Sequence, residues 1–260
     1  MYSNGLIVVS NKFENFTRNK NSVTVNQLMA MLELPEHIVP GPLKLFRGQG
    51  ISDQTVYELV EKINKLDKAK KRWDDSQLKS VPDQATSNLS HKRVSANTLI
   101  CEPQKVDQDT YTLVISIDEN SELMCDHQTG QHIQGMILIE ATRQAFLAVT
   151  EKYFLDDSWG RTYFVINSMK TDFKGFVFPV GAHINYKIVS KDLNEYRKKF
   201  QLYMEVIQSD QVRMTAEYSI AVYPESQLLE KEAKLASDAA NFELLEREQE
   251  IMRLQTGTDK

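Results

Sequence analysis

Residues 132–146, "HIQGMILIEATRQAF", set a histidine and a glycine ahead of an apolar, helix-forming run that nonetheless carries Glu140, Arg143 and Gln144. Positions three and four apart share a helix face, so Glu140 lies beside both Arg143 and Gln144. A carboxylate one turn below a histidine at a helix start is placed to act as a base or to orient a nucleophile. Just upstream, "CDHQTGQHIQG" adds Asp126, His127 and Gly130 to His132 and Gly135. Glycine there lets a ligand approach the exposed N–H groups of the first turn. These carry the positive end of the helix dipole, and a thioester oxygen resting on them would be polarised. His127 and His132 are close enough in sequence to flank that spot, and imidazole suits proton transfer near neutral pH. Plainer readings stand beside these. Arg143 and Gln144 fix the helix to its sheet or to a partner subunit through Glu140, and His127 is a surface or capping residue.

The elements that must position this helix follow from hydropathy. Before it, "VSANTLICEP" and "DTYTLVISID" read as strands, the second with Tyr111, Leu113, Ile115 and Ile117 alternating against Thr110, Thr112, Val114 and Ser116. The helix runs to about Phe154 through Phe146, Leu147, Val149 and Tyr153. Four further strand candidates follow: "RTYFVINSMKTDF", "AHINYKIVS", "KKFQLYMEVIQ" and "VRMTAEYSIAVY". Two strands, one long apolar helix and four strands with short links predict an α+β fold, an antiparallel sheet wrapped around one central helix. Such a sheet leaves one side of the helix open, which a second copy would cover.

Ahead of this region, residues 1–90 read as an α/β extension and linker. "TVNQLMAMLEL" is a helix capped by Thr24, and "DQTVYELVEKINKLDKAKKRW" is an amphipathic helix with Asp53 in cap position and Val56, Leu59, Val60 and Ile63 on one face. Its basic end, Lys65, Lys68, Lys70, Lys71 and Arg72, is a solvated helix terminus or a docking patch for an acidic partner; Arg197, Lys198 and Lys199 form a second such cluster. The polar stretch 74–90 has no period and reads as linker. Beyond Pro224, residues 225–260 form a helical arm with Leu228, Leu229, Leu235, Ala239, Phe242 and Leu245 for packing or dimer contact.

Bulk properties exclude several classes. In 260 residues, 41% hydrophobic and 26% charged, the net charge is −5, so nucleic acid is not an expected partner. The two cysteines, Cys101 and Cys125, have no metal-ligand spacing and read as reduced thiols, and no metal site is expected. The run "LIVV" at 6–9 is too short for a signal-peptide core or a membrane span, which gives a cytoplasmic expectation with no membrane partner.

With these residues in view, "HIQGMILIEATRQ" at 132–144 resembles the signature of the A-factor synthase (AfsA-like) family of hotdog-fold proteins: a histidine, then Gly-Met, Glu-Ala and Arg-Gln pairs at fixed spacing. Gln134 stands where the family has proline. The likeness extends over 91–224, a single hotdog unit where relatives that make the butyrolactone precursor commonly carry two, so either a homodimer supplies the second half or the chain does something related but different. The resemblance implies transfer of a β-ketoacyl group from an acyl carrier protein or acyl-CoA thioester to a small hydroxylated acceptor such as dihydroxyacetone phosphate. That is a step towards γ-butyrolactone or butenolide signals and needs no cofactor. By position, Glu140, His132 and His127 would be catalytic, while Gly135, Met136, Arg143 and Gln144 would bind substrate. Dehydratase or thioesterase chemistry on the same scaffold, and a noncatalytic acyl-binding or scaffolding module, remain the alternatives.

Overall fold

The computed structural model describes residues 4–18, 21–67, 71–125 and 129–257, with side chains as far as 254. Helix period and strand alternation in the N-terminal part build β1 (Gly5–Val9), β2 (Ser22–Thr24), α1 (Val25–Glu33), β3 (Leu43–Arg47), α2 (Asp53–Leu66) and β4 (Trp73–Gln77). The strands form a parallel sheet in the order β2-β1-β3-β4. Thr24 caps α1 in a reciprocal box with Gln27. Leu28 and Leu32 of α1 and Val56, Leu59, Val60 and Ile63 of α2 then bury against Val8, Leu45 and Trp73.

Three local readings are corrected here. The cap of α2 is Ser52, whose hydroxyl accepts the Thr55 amide, rather than Asp53, which is the first helical residue. The helix stops at Leu66 instead of running to Trp73, because the Asp67 carboxylate accepts the amides of Lys71, Arg72 and Trp73 and turns the chain into β4, burying Trp73. The stretch 74–90 therefore contains most of β4 and, later, α3 (Ser87–Ser90).

The second unit comprises β5 (Gln104–Asp107), β6 (Thr110–Val114), α4 (Gly135–Phe154), β7 (Thr162–Phe173), β8 (His183–Leu193), β9 (Lys198–Gln208) and β10 (Gln211–Pro224). All its ladders are antiparallel, in the order β5-β6-β8-β9-β10-β7. This is the hotdog arrangement, with α4 against the inner face of the sheet. Tyr111, Leu113, Ile115 and Ile117 are all buried, as their alternation predicts. "VSANTLICEP" is not a ladder strand: Ser95–Asn97 forms a 3-10 turn, and only Ile100 and Cys101 bridge to neighbours. The first strand is instead β5, exposed at every residue.

α4 is enclosed on more sides than the sheet alone would cover. Phe146 is wedged between Phe164 of β7 and Tyr218 of β10. The flank away from the sheet is closed by the chain itself: α3 packs along α4, His91 meets Glu151 at 2.9 Å, and Gln144 bonds the backbone of Asn97 and Leu99. A second copy is therefore not needed to cover this helix flank. What stays open is β7, an edge strand paired only with β10. Its Ile166, Met169 and Phe173 pair with buried Ile220, Tyr218 and Met214 and so face the helix side of the sheet, yet are 43%, 50% and 53% exposed.

The two units share a seam at buried Gln49. Its Nε2 donates to Ile115 O (2.9 Å) and its Oε1 accepts Ile117 N (2.8 Å), while Gly50 N donates to Ile117 O. After β10, α5 (Glu225–Gly257) leaves the body. Tyr163 donates to Glu232 near its start, and Leu235, Phe242 and Leu245 beyond are more than half exposed.

Candidate active site at the start of the central helix

The approach to α4 is a built turn. Gly130 adopts a left-handed backbone (φ +71°), and a Cβ there would press on the Asn15 amide that donates to Thr129 O. Ile133 then bridges Val177 of the β7–β8 link, and Gln134 caps the helix by backbone only, its side-chain amide donating instead to Leu123 O. Gln134 thus ties the 3-10 segment Glu122–Met124 to the helix start.

Two clefts flank the first turns of α4. One, of about 510 Å³, is largely apolar and is lined by His132, Gly135, Leu138, Phe173, Phe176 and Val177. The His132 ring lies 4.6 Å from that of Phe176, and its Nδ1 is 3.3 Å from the Thr129 hydroxyl. Gly135 matters sterically here: a Cβ would stand 2.8 Å from the Phe173 ring, so the bare helix start receives that aromatic edge. The second cleft, of about 210 Å³, opens on the other side of the helix between Met136, Ile139 and Glu140 and the residues Lys92, Asn97, Ser121 and Leu123.

Glu140 is the hub of the second cleft. Arg143 grips it with Nε to Oε2 at 2.7 Å and Nη2 to Oε1 at 2.8 Å, Gln144 Nε2 donates to Oε1 at 3.0 Å, and Lys92 Nζ lies 2.8 Å from Oε1. Burial by itself pushes this carboxyl up, but the bonds from Arg143, Lys92 and Gln144 outweigh it and hold the pKa at about 2. The same pairing raises Arg143 against the opposing effect of burial. Glu140 is thus a carboxylate throughout the neutral range, a strong hydrogen-bond acceptor but a weak store for a proton.

The structure brings Glu140, Arg143 and Gln144 together as the helix spacing predicts. It separates them from His132, which faces the other cleft of the same chain. His127 and Asp126 lie outside the described residues. Lys92 and Ser121 escape sequence reading because each reaches the cleft from a segment distant in sequence and carries no period. Of the basic run, Lys68 and Lys70 lie outside the described residues, and Arg72 is engaged at the C-terminal end of α1, donating to Leu34 O and Val39 O. Lys198 sits 4.4 Å over the Trp159 ring. Among the described residues no His, Cys, Asp and Glu group is arranged to hold a metal, and no helix is long and apolar enough to cross a membrane.

The profile of the A-factor biosynthesis hotdog domain, AfsA, matches residues 73–224, from β4 to the end of β10. The chain belongs to the AfsA hotdog family. The AfsA match takes in both clefts, α4 and the segment that carries Lys92 and Asn97. Solved structures similar to the chain include a mutant thioesterase from Pseudomonas aeruginosa, with 16% identity and a TM-score of 0.40 over 56% of this chain and 97% of that one. A phenylacetic acid degradation-related protein from Ralstonia eutropha has 15% identity and a TM-score of 0.35 over 46% and 82%. An uncharacterized protein from Pyrococcus horikoshii has 15% identity and a TM-score of 0.35 over 54% and 93%. No curated protein matches the sequence.

Proposed function

We propose that this AfsA protein transfers a β-ketoacyl group from a carrier-protein or coenzyme A thioester to a small hydroxylated acceptor such as dihydroxyacetone phosphate. The observation that carries the reading is the pair of clefts on the first turns of α4, one apolar and one polar, with an ionised Glu140 in the polar wall. In the reaction the acceptor oxygen bonds to the thioester carbonyl carbon, the C–S bond breaks, and the proton leaving the hydroxyl ends on the departing thiolate. The acyl chain lies along Leu138 and Val177, and the N–H groups of the first turn polarise the carbonyl. Glu140 orients the hydroxyl as a hydrogen-bond acceptor, with Arg143 holding the carboxylate in place. No resident cofactor takes part.

His132 and Glu140 face different clefts of one chain, so the reading includes a homodimer in which His132 of a second copy meets Glu140. The free edge of β7, with its exposed apolar residues on the helix side, is the surface for that pairing. A second reading, a noncatalytic acyl-binding module, is favoured by how completely Glu140 is engaged by Arg143, Lys92 and Gln144. Hydrolysis or dehydration on the same scaffold would leave the acceptor unacylated.

Mass spectrometry of the purified protein with a β-ketoacyl carrier protein and dihydroxyacetone phosphate, beside Glu140→Gln, tests the proposal. The expected result is an acylated triose phosphate formed by the wild type and reduced at least tenfold in the variant. Free β-ketoacid in its place indicates a thioesterase, and an intact thioester with both proteins overturns the enzymatic reading.

A further inference from the structure

We propose that the cleft between the two units, lined by Arg47, Lys79, Asp83 and Asp118, binds a small zwitterion, an aliphatic α-amino acid such as leucine. The site is separate from the clefts on α4 and does not depend on the acyl-transfer reading.

Its place in the fold is the first argument. Open parallel sheets take ligands outside the carboxyl ends of their strands, at the point where the strand order reverses. In the order β2-β1-β3-β4 that point lies between β1 and β3, and protein fills it. A Cβ on Gly48 would stand 2.7 Å from Pro179 O, and Gln49 is bonded to Ile115 and Ile117. The open space lies beside it, a cleft of about 360 Å³ between Arg47 at the end of β3, Tyr57 of α2, Lys79 just beyond β4 and, across the seam, Asp83 and Asp118. It has room for about twelve waters at about 30 Å³ each, at the small end of ligand sites.

The second argument is a guanidinium held ready. The Arg47 side chain is only 12% exposed. Its Nη1 donates to Asp53 Oδ1 at 2.7 Å and its Nη2 to Ile51 O at 2.6 Å. Nε meets no acceptor among the described residues, yet it is not sealed from solvent. A guanidinium fixed by two bonds, with a donor left over in a cleft, is preset for a ligand carboxylate. Lys79, whose ammonium has no partner among the described residues, supplies a second cation.

Charge balance decides the ligand. Three carboxylates, Asp53, Asp83 and Asp118, line the cleft beside the two cations. Asp53 is spent on Arg47. The Asp83 carboxylate has no partner among the described residues, and Asp118 commits Oδ1 to Asn120 and keeps Oδ2. A simple anion would be repelled by these groups, and a simple cation would leave Arg47 and Lys79 unanswered. A zwitterion meets both. Val81, Pro82 and the exposed Tyr57 ring give its aliphatic side chain an apolar surface.

Isothermal titration of the full-length protein compares L-leucine and L-valine with 4-methylpentanoate and 3-methylbutylamine, which lack leucine's ammonium and carboxylate in turn. Leucine should bind, and each analogue should bind at least tenfold more weakly. Lys79→Gln and Asp83→Asn remove exposed charges that hold nothing in the protein, so the fold survives, and each should weaken leucine at least threefold. Arg47→Gln should weaken it at least tenfold; should that variant melt far below the wild type, the other two carry the test. Hydrogen exchange with leucine present should slow at 81–84 and 116–118. No binding of either amino acid, equal affinity in Lys79→Gln and Asp83→Asn, an analogue as tight as leucine, or slowing only elsewhere overturns the site.

Discussion

Glu140→Gln keeps the shape of the side chain and removes its charge, which isolates what the ion-pair hub contributes. The carboxyl sits at about 2 against an ordinary 4.5. At about 1.4 kcal/mol per tenfold change in proton affinity, the gap amounts to roughly 3 kcal/mol. Lys92 and Arg143 are 26% and 33% exposed, so solvent screening reduces the figure to roughly 2 kcal/mol. A folded-state value below the unfolded one means that the unfolded chain takes up the proton first. The stabilisation is therefore complete above about pH 4.5 and is lost as pH falls through 2. Urea unfolding of wild type and Glu140→Gln in parallel, from about pH 6 down to about pH 2, cancels the other carboxylates. The wild type's advantage should shrink by roughly 2 kcal/mol over that range, with less than half of it left near pH 3. A constant advantage would refute a depressed carboxyl. An advantage that grows as pH falls would show a raised one, and Glu140 would then be a competent proton acceptor after all.

Two further outcomes follow from buried contacts and open edges. Gln49→Leu strands the Ile115 carbonyl and the Ile117 amide at the seam, so it should cost about 2–4 kcal/mol and speed amide exchange at 115–118, read by hydrogen-exchange mass spectrometry. Ile166→Lys with Met169→Lys places charges on the exposed helix-facing side of the β7 edge, and should shift a dimer to monomer in sedimentation velocity without lowering the melting temperature. A dimer that survives both charges is held elsewhere.

The hotdog unit was legible where burial is one-sided. β6 to β10 and α4 follow apolar alternation and helix period closely, and Tyr111, Leu113, Ile115 and Ile117 point inward as spaced. β5 was not legible because it is an exposed edge with no apolar face. β4 was hidden because its one fully buried aromatic, Trp73, follows a cationic run and precedes two aspartates, and what turns the chain there is the Asp67 carboxylate gathering three later amides. At the site, helix spacing gave Glu140, Arg143 and Gln144 a common face. It could not show that His132, which precedes the helix, is turned to the opposite cleft by the Ile133–Val177 bridge. Nor could any local pattern show Lys92 closing on Glu140 from the segment that packs over α4.

The network around Glu140 ties the covering loop to α4 and also walls the candidate site, and its members divide between the two. Gln144 is fully buried, and both its amide donors are committed, to Asn97 O and to Glu140, while its oxygen accepts Leu99 N. Buried and with both donors committed, it fixes the loop that brings Lys92 and Asn97 to the cleft. Arg143 is one-third exposed but directs two donors at Glu140, which makes it the clamp of the carboxylate. Met136, Ile139 and Glu140 of the helix and Lys92 and Asn97 of its cover line the polar cleft. Farther along, α4 is buried among β7, β10 and α3, so the two clefts open only on its first turns, within the stretch 132–144.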